Sequence, residues 1–445
     1  MAKGATHVLG LDIGTAFIKA AEIQLRGDEY HVVGRPAVIP TPENAVRGGV
    51  VVDAPAVAEA LEEVRVRYGA RVKKAVASVG GDSSVVVRIT EVPKMSDREL
   101  DEAIQWELDE QTPFPVDEVI YDYAPIERPD ADPEATEMEV LMAVAQEDLV
   151  DAHVDAMQGA GMVPVAIDVE PLAIGRALVE APGEEFADQT VVNVHIGATT
   201  TLILVFRQKL LSFVRVIPSA GENLTQALAQ NLMVDQDQAE MIKLQLGRVY
   251  AGRFVPEEEE DEFAGAGMFE EEEEELESDS VFELSSTDEG SATIEPDEGA
   301  TRLDIEEDLE GLEGPPAEEQ APAPPEPPME GEEDADLAEA REIVADALTE
   351  PTLDIATEVR KSLDFYRRQH RNEPVDRILV TGGSAKLPGL TDMIREETGV
   401  EATEVGDPFR SMVIDDPSIP EQYLRDIAPS MVIAVGLALR EMVPE

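Results

Sequence analysis

From Val255 to Asp336 the chain carries 34 acidic side chains and one basic residue, Arg302, within 82 positions. The stretch includes the runs EEEEDE and EEEEEELE, and seven prolines fall among residues 315–328. Such a composition has too little apolar surface to offset the entropy of ordering and repels itself, so it is expected to be a disordered acidic Pro/Glu-rich insertion. This splits the foldable sequence: 1–254 and 337–445 either pack together around the insertion or stand as two domains on a string. Short apolar islands interrupt the acid, at Phe263, Met268, Phe269, Val281, Phe282, Leu284, Leu303, Ile305, Leu309 and Leu312. They leave two readings, a solvating spacer and a docking motif that folds on a partner.

The whole chain of 445 residues has 34 Lys+Arg against 96 Asp+Glu, a formal charge of -62. That balance argues against nucleic acid as the main partner, because a polyanion needs a basic face. With no Cys there is no disulfide framework and no thiol nucleophile, which suits a reducing compartment. The N-terminal residues run directly into VLGLDIG without the apolar core of a secretory signal. The longest apolar run, Met431 to Leu439, is far short of the roughly 20 residues that span a bilayer. A cytoplasmic protein is the expectation.

The foldable part alternates strand and helix patterns. Residues 7–11 and 17–24 are strand-like and joined by a Gly-containing turn at 12–16. Helical spacing marks 54–68. Strands at 75–79 and 84–92 precede a helix from Ser96, where Ser96 and Glu99 form a capping box. Strands at 119–126 and 139–145, a helix from Gln146 and a strand at 163–169 follow. After Asp188 the opening theme recurs, with strands at 191–196, 201–206 and 210–217. Helices are expected at 222–232 and 236–246, and across 337–370 with a break at Pro351. A strand at 377–380 and a helical unit from Leu387 to Gly399 close the pattern. His153 lacks a catalytic partner and is expected on a helix surface, whereas Trp106 and Phe114 are expected in a core. Arg360, Lys361, Arg367, Arg368 and Arg371 form the basic cluster, complementing the negative C-terminal end of a helix. An alternative is that the acidic insertion folds back on them.

Three glycine-bearing turns stand at strand ends: DIGTA at 12–16, HIGATT at 195–200 and TGGSA at 381–385. Glycines let backbone N–H groups approach a phosphate, with nearby hydroxyl or ammonium groups as further donors. Alone, each is an ordinary hairpin turn. Together, two similar hairpins and a strand-GG-helix turn point to duplicated domains clamping a nucleotide. None is a Walker loop or a GxGxxG fingerprint.

Around these turns the chain resembles the actin-like ATPase superfamily, and within it the PilM family of type IV pilus assembly proteins. The stretches that carry the resemblance are LGLDIGTAFIKAAEI, ELDEAIQWELDEQTPFPVDEVIYDY, GMVPVAIDVEPLAIGRAL, IPSAGENLTQALAQ, ILVTGGSAKLPGLTDMI and DPFRSM. It implies an α/β, actin-like (ribonuclease H-like) two-lobe fold with an extra small α+β subdomain, placed where the cell-division protein FtsA also has an insertion. The corresponding division is 1–73 plus 163–187 for the first lobe, 74–162 for the subdomain, 188–254 plus 337–445 for the second lobe, and 255–336 for the insertion.

Carried over residue by residue, the resemblance implies that Gly14, Thr15 and Ala16 form the first phosphate turn of an ATP site. Asp12 would orient Mg²⁺ through water and Lys19 would approach the phosphates. Gly197, Ala198 and Thr199 would form the second turn. Gly382, Gly383 and Ser384 would hold the adenosine side, with Gly221, Glu240 and Lys243 along base and ribose. The bland alternatives are a turn-forming Asp12 and solvated lysines. Relatives usually place an Asp where this chain has His195, and an imidazole is a poor ligand for a hard cation. Little or no hydrolysis is therefore expected, with Asp12, Asp168 and Glu170 as the candidate catalytic acids.

The resemblance further implies a groove between subdomain and first lobe for the cytoplasmic N-terminal tail of the inner-membrane protein PilN. It would add the PilC platform protein and motor ATPases as further partners and place the protein in the cytoplasm, peripheral at the inner membrane. The leading function is a nucleotide-binding scaffold in which ATP closes the lobes and sets affinity for PilN. The competing classes are an active ATPase or kinase on the same fold and an FtsA-like filament protein. The last expects a basic amphipathic C-terminal anchor that LREMVPE lacks.

Overall fold

The computed structural model describes residues 6–68, 70, 72–80, 84–130, 132, 134–251 and 335–443. The expected disordered insertion lies outside the described residues except for its last two positions, and the apolar islands lie outside them too. Strands β1 (His7–Ile13) and β2 (Phe17–Arg26) form the first hairpin, followed by β3 (Glu29–Val32), β4 (Ala37–Pro40), β5 (Val46–Arg47) and β6 (Val50–Val51). Helix α1 (Ala54–Arg67) begins at Asp53, whose carboxylate accepts from Ala56 N–H and satisfies an otherwise free donor. Then β7 (Lys74–Val79) runs parallel to β1.

A smaller unit follows. It comprises β8 (Val85–Pro93), α2 (Asp97–Gln111), β9 (Val119–Ile126) and β10 (Glu137–Gln146), with the strands ordered β8-β10-β9. Leu100, Ile104 and Leu108 recur every four residues, so α2 lays one stripe onto Val92, Val140, Met142 and Val144. Glu99 accepts from Ser96 N–H at 2.9 Å, closing the capping box. Trp106 points off this stripe and is 59% exposed, so the expectation that it packs in a core is corrected.

Helix α3 (Glu147–Gly159) returns the chain to β11 (Val163–Val169), parallel to β7, and to α4 (Glu170–Gly175), which continues as a π-helical turn through Glu180. His153 on α3 is 1% exposed, not on the surface as expected. Its Nδ1 meets the Leu149 carbonyl at 2.8 Å, and burial depresses its pKa, so the ring sits neutral as a satisfied core histidine.

The second hairpin is β12 (Thr190–Ile196) and β13 (Thr201–Arg207), extended by β14 (Leu210–Ile217). Helices α5 (Gly221–Leu232), α6 (Gln236–Leu246) and α7 (Ala335–Gln369) follow. Helix α7 runs unbroken through Pro351, contrary to the expected break. Proline there removes one backbone hydrogen bond at a cost of about 3 kcal/mol. Val344 and Leu348 before it, and Ile355, Val359 and Leu363 after it, are all buried in one core, which holds both halves in line. The basic residues near its end are paired, Arg360 with Glu397 at 2.7 Å and Lys361 with Glu358 at 2.8 Å.

Strand β15 (Arg377–Gly382), α8 (Leu390–Thr398) and β16 (Thr403–Val405) complete a sheet ordered β14-β13-β12-β15-β16. The chain then crosses back: β17 (Val413–Ile414) pairs with β3, and α9 (Glu421–Ile427) leads to α10 (Val432–Leu439). The first sheet thus reads β11-β7-β1-β2-β3-β17, with β4 on β2.

Strand alternation explains how the layers join. On β13, Ile203 and Val205 face α5 and α7, whereas Leu202, Leu204 and Phe206 face a core shared with Val8, Ala21 and Ile23 of the first sheet. Between the two sheets lie α4, its π-helical turn and α10, whose eight residues are all buried. The nine-residue apolar run is therefore a wedge between the sheets. The small unit also reaches the second sheet: Arg128 Nη2 donates to the Leu211 carbonyl at 3.1 Å, and Arg207 pairs with Asp130 at 2.9 Å.

Candidate functional site

The two hairpins and the turn after β15 open onto one cavity of about 460 Å³. Antiparallel register places Lys19 directly opposite Asp12, and Lys19 Nζ donates to Asp12 Oδ2 at 2.9 Å. The turn between them is braced twice. Gly14 N–H donates to the Phe17 carbonyl at 3.2 Å, and the Thr41 hydroxyl donates to the Gly14 carbonyl at 2.7 Å. Thr15 Oγ accepts from Gly49 N–H at 3.3 Å.

The second turn is tied to the start of α5. Gly221 N–H donates to the Gly197 carbonyl at 3.1 Å and Glu222 N–H to the Ala198 carbonyl at 2.8 Å, using helix donors that would otherwise lack partners. Lys243 on α6 reaches the Gly221 carbonyl at 3.0 Å, Thr225 Oγ1 at 2.7 Å and Glu240 at 2.6 Å. It is a held cation, not a solvated one. Gly382 carries φ +94° at the end of β15, and a Cβ there would lie 2.1 Å from the Ile196 carbonyl oxygen, so only glycine permits this close pairing.

Of the residues singled out in the sequence, Asp12, Gly14, Thr15, Ala16, Lys19, Glu170, Gly197, Ala198, Thr199, Gly221, Glu240, Lys243, Gly382, Gly383 and Ser384 all line this cavity, together with His195. Asp168 does not. It is buried, bound by Arg176 at 2.6 Å and approached by Arg440 at 3.3 Å, so its carboxylate serves the junction beneath α4 and not the cleft. Sequence reasoning missed Thr41, Gly49, Gly80 and the Lys386–Pro388 segment. Gly80 had a visible signal, a glycine directly after a strand as in the other three turns. Gly49 had one as well, the Gly48–Gly49 turn between β5 and β6, and Lys386–Pro388 lies within one of the family stretches. Thr41 has none, because it arrives by the pairing of β4 with β2.

Charge in the cavity is unevenly held. The Glu170 carboxylate packs against Gly80, where an added Cβ would sit 2.2 Å from Oε1. Burial, then the nearby Asp12 carboxylate, raise its pKa to about 8, against the pull of Lys19. His195 on β12 is 6% exposed, and its Nδ1 lies 3.0 Å from Thr381 Oγ1 on the neighbouring strand. Burial, then the Lys19 charge, lower its pKa to about 3, so it is neutral across the physiological range.

The Glu170 shift has a consequence for stability. Between about pH 4.5 and 8 the unfolded chain has released this proton while the folded chain retains it, so stability falls as pH rises through that window. Glu170→Gln removes the slope. It is expected to be more stable than the parent at pH 8 by about 1–2 kcal/mol, discounted because the carboxyl keeps some access to the cleft, with the difference vanishing near pH 4. Urea unfolding at several pH values measures it; a pH-independent difference would refute the assignment.

Duplicated hairpins joined through two buried helices, with glycine turns facing one cleft, define the actin-like two-lobe fold. A family model described as "Type IV pilus assembly protein PilM" matches residues 10–252 and 340–442, and the chain belongs to that family. A solved structure of a "PilM-PilN type IV pilus biogenesis complex" superposes with a TM-score of 0.70 at 24% identity, covering 98% of this chain and 99% of that one. The cell division protein FtsA of Bacillus subtilis (strain 168) is 26% identical over 267 residues, 54% of this chain and 58% of its own length. FtsA of Streptococcus pneumoniae serotype 2 is 22% identical over 264 residues, covering 54% of this chain and 56% of its own. The chain thus spans less than two thirds of these curated relatives. Among the described residues, no helix is long and apolar enough to cross a membrane.

Proposed function

We propose that this chain binds ATP in the cleft and that nucleotide-dependent closure of its lobes sets its affinity for the cytoplasmic N-terminal tail of PilN, as a scaffold of the type IV pilus machine. The reading rests on one observation: three glycine turns from two separate sheets converge on a single cavity. Residues 1–73 plus 163–187 act as the first lobe together with the returning segment 413–439, whose β17 pairs with β3 and whose α10 packs on β1 and β2. Residues 188–254 plus the rest of 337–445 act as the second, and 74–162 as the subdomain that forms a wall of the PilN groove. PilC and the motor ATPases are further partners, and PilN brings the protein to the inner membrane.

The residues fit a nucleotide tail. Glycine backbones of both hairpins and Lys19 would face the phosphates; Glu240, Lys243 and Ser384 would face the nucleoside. Mg²⁺ usually keeps several waters and is held by one or two carboxylates plus phosphates, a part that Asp12 can fill through water. Glu170 stays largely protonated at neutral pH, and His195 is a neutral imidazole, so neither supplies the charge that positions a metal and an attacking water. Slow or absent hydrolysis follows. The Arg128–Leu211 and Arg207–Asp130 contacts tie the subdomain to the second lobe, so closure of one would move the other.

The test is the affinity of a PilN-tail peptide for the full chain with and without MgATP. A change of fivefold or more, in the range of about 1–3 kcal/mol typical of coupled sites, is expected. Equal affinities would remove the coupling.

A further inference from the structure

Asn193, His195 and Thr381 form a buried polar relay whose protons can be assigned one by one. The Leu379 carbonyl can only accept, so it orients the Asn193 amide, whose Nδ2 donates to it at 3.0 Å. The second N–H of that amide goes to Thr381 Oγ1 at 2.9 Å. The Thr381 hydroxyl is then already an acceptor, and its own proton has two places to go. His195 Nδ1 lies at 3.0 Å and Asn193 Oδ1 at 3.4 Å. Donation to Nδ1 gives the better-formed network: were Nδ1 the donor, the hydroxyl proton would be left with only the Asn193 Oδ1 contact, which is at the limit of a hydrogen bond and belongs to an amide already engaged with the same oxygen. Nδ1 therefore accepts. A neutral imidazole carries one proton, which must sit on Nε2.

Where that nitrogen sits matters. His195 lines the cavity, and Nε2 has no partner among the described residues. The duplication makes the position informative: DIG at 12–14 and HIG at 195–197 occupy matching places in the two hairpins. At the first, a carboxylate receives the Lys19 ammonium. At the second, the same place presents a hydrogen-bond donor.

We propose that His195 Nε2–H donates to a phosphoryl oxygen of the bound nucleotide, so that the tail is met by Lys19 from one lobe and His195 from the other. The inference rests on the nucleotide reading of the cleft and deepens it. A donor in this place grips phosphate directly, where a carboxylate could act only through a metal. Recognition of the tail by the second lobe is then largely independent of Mg²⁺, and adenosine, which has no phosphate, leaves His195 unengaged.

The experiment is long-range ¹H–¹⁵N correlation of the ring nitrogens in the full chain labelled on histidine, with His195 identified by its loss in His195→Ala. The expected spectrum shows protonated Nε2 and bare Nδ1, and Nε2–H shifts on adding ATP in EDTA but not on adding adenosine. Thr381→Val, which removes the donated proton, mixes the tautomers, and Thr381→Ser restores the single one. ATP affinity in EDTA falls about ten- to a hundredfold in His195→Ala, the loss expected for a hydrogen bond to a charged group, and less in His195→Gln, which retains a donor. A ring protonated on Nδ1, or an Nε2–H unmoved at saturating ATP, overturns the proposal. So does a shift produced by inorganic phosphate at concentrations where ATP gives none, which would assign the donor to free phosphate. Absence of any ATP binding to the parent chain would instead refute the cleft reading itself.

Discussion

Gly436→Ala is expected to lower the unfolding free energy by about 3 kcal/mol or more, measured by urea denaturation. Helix α10 crosses α4 at this residue, and a Cβ there would stand 1.7 Å from the Ala173 carbonyl oxygen and 2.9 Å from its Cα. These are backbone atoms and cannot swing aside. The opposite side is equally full, since a Cβ on Gly10 of β1 would lie 1.9 Å from the Ala434 carbonyl. Alanine gains about 1 kcal/mol in helix propensity over glycine, so the sign is decided by sterics: the two helices must separate, which opens the core shared by both sheets. Since this crossing joins the lobes, the variant is also expected to lose any nucleotide effect on PilN-peptide affinity. An unchanged urea midpoint would mean the helices do not cross this closely.

The neighbouring glycines of the third turn are expected to part company. Gly382→Ala must give up both a positive φ and the close pairing with Ile196, detaching the end of β15 from β12 where the second and third glycine turns meet. Loss of ATP affinity by about a hundredfold or more is expected, with a stability cost of about 2 kcal/mol, the range for an incompatible backbone position combined with overpacking. An added Cβ on Gly383 meets nothing within 4 Å, so Gly383→Ala should retain parental stability to within about 0.5 kcal/mol while placing a methyl at the cavity wall. Isothermal titration with ATP and urea unfolding of both variants separate the effects. Equal behaviour of the two would show that the turn is not built as described.

Much of this was legible in the linear chain. The matching hairpins follow from alternation and from the glycines of DIG and HIG, and the α2 stripe from Leu100, Ile104 and Leu108. The quoted family stretches hold the first and third turns, Glu170 and Gly221, whereas Gly197, Ala198, Thr199, Glu240 and Lys243 lie outside them. What failed did so for a common reason. Periodicity tells which side of an element is apolar, not what that side will meet. Trp106 belongs to a helix whose buried stripe is already complete without it, so it stays exposed. His153 had no catalytic partner in the sequence, yet its place on the inner face of α3 and the Leu149 carbonyl made it a core residue. Pro351 reads as a helix break until the core on both sides outweighs the lost hydrogen bond.

The cleft acids divide in the same way. Asp168 and Glu170 are two residues apart, but strand alternation and the start of α4 send one to Arg176 and the other to the cavity wall. Sequence alone determined the repeated strand-glycine-strand units, the periodic helices and the family, because these depend on local spacing and turn chemistry, whereas α4, α9 and α10 were not read from it. Only the tertiary structure decided which carboxylate faces the cleft, which side chain His195 meets across the sheet and why α10 must be lined with small residues. Those outcomes depend on atoms that come together from distant parts of the chain, such as Thr381 beside His195 and Ala173 beneath Gly436.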